Sequence, residues 1–95
     1  MSAKSSAHTL KSPAQLEEVL KRVKRAEGQI SGVIRMLEEQ RNSEEIVHQM
    51  AAVGKAMNTA AITLIAASLQ ECLLDKKSNN KDQTERLQKL FLSLA

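Results

Sequence analysis

The sequence predicts an all-α fold, and three observations predict it. Apolar residues recur at steps of three and four over long stretches, the spacing that lines one face of an α-helix. Proline occurs once, at Pro13, so nothing breaks those stretches. Helix-forming Ala, Leu, Glu, Lys, Gln and Met dominate, while the runs of β-branched and aromatic residues that would read as strands are missing; Phe91 is the one aromatic residue among 95.

Residues 1–11 are small, polar and unpatterned and read as a flexible N-terminal arm, leaving 12–95 as a single helical domain. At Ser12-Pro13-Ala14-Gln15 the helix-start signals coincide. Ser12 is placed to cap, Pro13 takes the first helical position, and Gln15 stands where a capping box wants Glu or Gln. Leu16, Val23, Ile30 and Leu37 then recur every seven residues, with Val19, Leu20, Ala26, Val33 and Ile34 on the same side, a seam for helix-on-helix packing. Gly28 and Gly32 interrupt this helix at about 1 kcal/mol each relative to alanine, which calls for a reason such as close approach of another helix. Charge replaces periodicity at Glu38 to Arg41. A second helix follows from Ser43 to about Lys76, capped by Asn42 or Ser43, with Glu44 and Glu45 in its first turn. Its stripe runs Ile46, Met50, Val53, Met57, Ala61, Leu64, Ile65, Ser68 and Cys72. Lys76 to Asn80 reads as a polar break, and Leu87, Leu90, Phe91 and Leu94 mark a short third helix. Two long helices and one short one enclose little core, so the expectation is a three-helix protomer whose long pairs form an antiparallel four-helix-bundle dimer.

Composition excludes several classes. No apolar run reaches the ~18 residues of a membrane span, and Met1 to His8 carries no hydrophobic segment of a secretory signal, so the reading is cytoplasmic with no membrane partner. Cys72 is the single cysteine, which rules out an internal disulfide. Gly28, Gly32 and Gly54 all fall in helical patterns, leaving no phosphate loop, and no Cys/His pairs stand at metal spacing; the chain does not read as an enzyme. His48, Met50 and Met57 could suggest a soft-metal site, but Met50 and Met57 lie on the apolar stripe and His48 off it, so core methionines beside a surface histidine are the better reading.

The net charge of +3 is uneven. Lys4, Lys11, Lys21, Arg22, Lys24 and Arg25 face only Glu17 and Glu18 in the first 25 residues, so the basic end is the candidate contact for a polyanion. Arg22, Arg25 and Gln29 share one helix face, flanked by Lys21 and Lys24 and turned away from the seam. Cations fixed on a rigid rod suit phosphate contact, although the same positions also suit a solvated face. No helix-turn-helix, zinc-finger or leucine-zipper pattern accompanies them.

Arg22-Val23-Lys24-Arg25-Ala26-Glu27-Gly28-Gln29-Ile30, Gln49-Met50-Ala51-Ala52-Val53 and the Leu69 to Leu73 end of the second helix together resemble the small helical bacterial repressors of the CsoR/RcnR/FrmR type. These sense copper, nickel or cobalt, formaldehyde, or sulfur species, and the match runs from Leu16 to Leu94. The resemblance implies a dimer of dimers that binds double-stranded operator DNA as a homo-oligomer and releases it on sensing. It places Arg22 and Arg25 on DNA-contacting positions, Gln29 close by and Lys55 near a second basic position, where Gly54 replaces an arginine common in the family. The family's Cys, His, Cys copper set falls on Ser43, Ser68 and Cys72, of which Cys72 alone keeps a ligand. A serine hydroxyl is a poor ligand for Cu(I). Formaldehyde sensing of the family type would need a cysteine at Ser43, and dithiol persulfide chemistry would need two. The resulting expectation is a repressor with a largely vacated sensor site. Cys72 as a lone redox- or electrophile-responsive thiol, a transition metal in a non-standard site built from His8 or His48, and a helical oligomerisation module without sensing stand as alternatives.

Overall fold

The computed structural model describes residues 7–75 and 81–95, and all regular structure among them is helical. The polar break read at 76–80 and the first six residues of the arm lie outside the described residues.

Helix α1 spans Pro13–Glu38 and starts as the local signals dictate. Ser12 is extended, with φ −65° and ψ 119°, and its Oγ accepts the Gln15 backbone N–H at 3.3 Å. At the far end Gln40 takes φ 56°, the left-handed region that glycine usually fills. The Arg41 N–H then reaches back to the Met36 carbonyl at 3.0 Å and the Gln40 N–H to Leu37 at 3.1 Å, which closes the helix and turns the chain. Helix α2, Ser43–Leu74, is capped by Asn42, whose Oδ1 accepts the Glu45 N–H at 2.8 Å; Ser43 is its first helical residue. Arg41 fastens the turn through a 2.7 Å ion pair with Glu45.

At 32 residues and ~1.5 Å per residue, α2 is roughly 48 Å long and sets the 55 Å long axis of the protomer. Helix α1 packs against it as an antiparallel hairpin. Helix α3, Lys81–Leu94, returns along its C-terminal half: Gln83 meets Cys72 at one end, and the Leu94 carbonyl accepts from Asn58 Nδ2 at 3.2 Å at the other.

The packing divides the apolar side of α1 in two. Inside the protomer, α1 buries Val19, Ala26 and Val33, whereas the heptad seam of Leu16, Val23, Ile30 and Leu37 stays 37–55% exposed. Both sets repeat every seven residues, so each drifts slowly round the helix as a coherent stripe, and periodicity alone cannot say which one faces α2. The outer stripe is joined by Leu20 and Ile34 on α1 and by Val47, Met50, Met57 and Leu64 on α2, all exposed. The glycines gain no explanation inside one chain, because a Cβ at Gly28, Gly32 or Gly54 would meet nothing within 4 Å.

Although α2 has no unbroken apolar run of membrane-spanning length, an 18-residue window in it averages a hydropathy of 1.3, enough by length and composition to cross a membrane. Its Ala-rich middle, broken by Lys55, Asn58, Thr59 and Thr63, equally suits the inner helix of a multi-helix bundle.

Candidate functional site

Two regions carry the residues singled out above. The first is a groove between α1 and α2. Arg22 and Arg25 form one wall, Lys55 stands on the other, and Ala52, Ala56 and Thr59 make a small-residue floor; the space is about 320 Å³. The antiparallel hairpin creates this, since it pairs the third and fourth turns of α1 with the middle of α2. Along α1 the ridge follows helical spacing, on the flank of the buried stripe opposite Leu16 and Ile30.

A second hollow on the outer side of the ridge is lined by Glu18, Lys21, Arg22 and Arg25. Arg22 Nε lies 3.4 Å from Glu18, with both side chains nearly half exposed, so this pair holds the guanidinium loosely. Lys24 is exposed but lines neither space. Gln29 sits one turn beyond Arg25, half-buried, with its Oε1 enclosed and without a hydrogen-bond partner. It lines neither the groove nor the outer hollow.

The second region is the C-terminal end of α2. Ser68 and Cys72 lie one turn apart, 4% and 2% exposed. Ser43 is exposed at the opposite end of the same helix, 29 positions away, or roughly 43 Å at the helical rise. One chain therefore cannot bring Ser43 to Cys72. Cys72 Sγ donates to Gln83 Oε1 at 3.5 Å, and burial, followed by the charges of Asp75 and Glu71, pushes its thiol pKa up. A protonated thiol suits that donor role, and the thiolate needed for nucleophilic or ligand chemistry is disfavoured. Beside it, Cys72, Asp75, Lys81, Thr84 and Glu85 line an open space of about 490 Å³.

The two histidines part company. His48 is 76% exposed on α2, 3.9 Å from Glu44, at the end far from Cys72. His8 is nearly buried, its side chain 11% exposed, and Nε2 lies 2.9 Å from Glu71 Oε1, next to Cys72 in sequence. Glu71 was not legible as important from sequence, because a lone glutamate near a helix end carries no pattern. Gln83 was missed for the same reason. Among the described residues no group of three or more His, Cys, Asp or Glu side chains converges as a metal cage.

Residues 15–93 match the profile of the metal-sensitive transcriptional repressors. This chain belongs to that family. It is 34% identical over 74 residues to the copper-sensing transcriptional repressor CsoR of Bacillus subtilis (strain 168), covering 77% of this chain and 73% of that one. It is also 34% identical over 59 residues to the copper-sensing transcriptional repressor RicR of Mycobacterium tuberculosis (strain ATCC 25618 / H37Rv), covering 62% of each. No solved structure matches the chain at a significant level. The family is one of transcriptional repressors rather than enzymes, and the match embraces the basic groove and the Cys72 end alike.

Proposed function

We propose that this protein is a cytoplasmic, DNA-binding transcriptional repressor that reads operator DNA through the α1–α2 groove and does not sense copper by a Cys, His, Cys set. The observation that carries the first half is the groove itself: Arg22 and Arg25 from one helix and Lys55 from the other place positive charge on both sides of a trough floored by small residues. Cations held on packed helices displace condensed counterions from phosphates at little cost in side-chain order, which supplies affinity without a recognition helix in the major groove. Lys21 and Lys24 extend the positive field, and Gln29 supports the packing behind it.

The assembly follows from the exposed apolar stripe. A second copy laid antiparallel over Leu16, Leu20, Val23, Ile30 and Ile34 of α1 and Met50 and Met57 of α2 would bury it and use the open space at Gly54 for close approach. The antiparallel arrangement would set the start of α2 in one copy against the end of α2 in the other, and two such dimers would make the tetramer. Residues 12–95 then act as one DNA-binding and sensing unit behind the arm of residues 1–11.

The donors at the sensing positions do not fit the copper that the relatives sense. Ser43 and Ser68 offer neutral hydroxyls, and Cys72 is a buried thiol already donating to Gln83, whereas Cu(I) selects thiolate and imidazole. The same burial counts against Cys72 as a free-standing electrophile switch.

The test is binding of the purified protein to the DNA upstream of its own gene, read by fluorescence anisotropy against a scrambled duplex. Specific binding that weakens steeply with salt is expected. Equal affinity for both duplexes would leave only a helical oligomerisation module.

A further inference from the structure

The tail end of α2 holds the segment that leads into α1 by a single carboxylate. Glu71 Oε1 accepts from His8 Nε2 at 2.9 Å and from the Lys11 backbone N–H at 3.0 Å. Its Oε2 accepts from the Lys11 N–H at 3.2 Å and from the Ser12 N–H at 2.7 Å. All these donors lie 59 to 63 residues away in sequence. The backbone bond from Lys11, opposed by burial and helped by Ser12 and His8, holds the Glu71 pKa below the usual glutamate range, so the carboxylate is ionised at neutral pH.

The arrangement answers two deficits written into the helices. Helix α1 has no acidic residue in its first turn, although its dipole favours an anion there. Helix α2 has no basic residue in its last turn, where a carboxylate on its own is disfavoured. Glu71 supplies the missing anion at the start of α1 across the hairpin, and His8 Nε2 gives Glu71 a hydrogen-bond partner at the end of its own helix. The contact is compact, local and solvent-adjacent, with Glu71 about a quarter exposed, which is the setting of a part that can open without unfolding the rest.

We infer that Glu71 is a latch: it clamps residues 8–12 to the sensing end of α2 and thereby sets the position of α1, and with it the Arg22–Arg25 ridge, relative to Lys55. This rests on the proposed DNA-binding role of the groove. Helix α1 carries the effect as a rigid element. From Ser12 the ridge is only ten and thirteen residues away, roughly 15 and 20 Å, and Ser12 is the residue held most tightly. Glu71 is a positioning residue here, one step in sequence from Cys72, so an event at Cys72 or Ser68 has a short path to the latch.

The experiment uses the full chain and its Glu71→Gln and His8→Ala variants, with amide hydrogen exchange and operator affinity measured across a salt series. In Glu71→Gln the amides of Lys11 and Ser12 are expected to exchange about tenfold faster while those in the middle of α1 stay protected. Operator affinity should fall several-fold at every salt concentration with the salt slope unchanged, because no phosphate contact is lost. His8→Ala, which removes one side-chain donor and leaves the backbone bonds, should give a smaller change in both readouts. A carboxylate that matters only through its charge would give the opposite sign, since removing a negative charge near DNA strengthens binding. Unchanged exchange at Lys11 and Ser12 overturns the latch. Faster exchange with unchanged or tighter operator binding overturns the coupling to the ridge. A wild-type protein that binds no operator refutes the repressor reading and the coupling together, and the exchange result alone then decides the latch.

Discussion

Neutralising Arg22 and Arg25 together tests the basic groove where it is most exposed to refutation. In the free protein these side chains do little: Arg22 meets Glu18 at 3.4 Å with both partners nearly half exposed, a contact worth about 0–1 kcal/mol. An Arg22→Gln, Arg25→Gln double variant should therefore keep its helicity and its oligomeric state. On DNA the loss is countable. Each phosphate contact contributes about 0.9 to the slope of log affinity against log salt, so removing two lowers the slope by about 1.8 for a contacting protomer. Between 50 and 200 mM salt that difference amounts to about tenfold, the wild type losing that much more affinity than the variant over the same range. Fluorescence anisotropy at four or five salt concentrations measures it, with circular dichroism and sedimentation confirming the fold. An Arg22→Lys, Arg25→Lys control keeps both charges and should keep the slope. If the neutral variant has the wild-type slope, the groove does not hold phosphates and the reasoning fails.

The outer apolar stripe makes an equally direct prediction: Ile30→Glu or Met50→Glu, both at half-exposed positions in the protomer, should split the oligomer with little loss of helix, read by sedimentation velocity. Retention of the wild-type mass would show that a second copy does not cover this face. Cys72 should react with iodoacetamide at neutral pH far more slowly than free cysteine, because burial and the neighbouring carboxylates raise its pKa; alkylation at the rate of the free amino acid would contradict that. Glu71 has its folded-state pKa depressed, so its contribution to stability is present above the ordinary glutamate range of about 4.3 and is lost as pH falls through the lower folded value. Glu71→Gln should accordingly flatten the acid side of the stability profile below about pH 4.5 in urea melts, and an unaltered profile would count against the geometry. Gln40→Gly should stabilise by up to about 1 kcal/mol by relieving the left-handed backbone at φ 56°, net of the extra freedom glycine gives the unfolded chain.

Much of this was legible in the chain itself, and the reason is locality. The start of α1 at Ser12-Pro13, the capped start of α2 and the three-helix order depend on residues within one turn of each other, and the basic ridge depends on spacing within one helix. The family match over 15–93 agrees with the resemblance read from the Arg22 to Ile30 block. Orientation was not legible. Two seven-residue stripes run along α1, and choosing Val19, Ala26 and Val33 over Leu16, Val23 and Ile30 as the inner one depends on where α2 lies.

What the sequence determined by itself is the helical fold and the charge on the first long helix. Tertiary structure alone decided that Lys55 faces Arg22 and Arg25, that Cys72 is buried against Gln83, and that Glu71 grips a segment some sixty residues away. The physical reason is the same in each case. A helix fixes which residues share a face through bonds four residues long, but which faces meet is settled by the burial of side chains distant in sequence, and no local pattern records that choice.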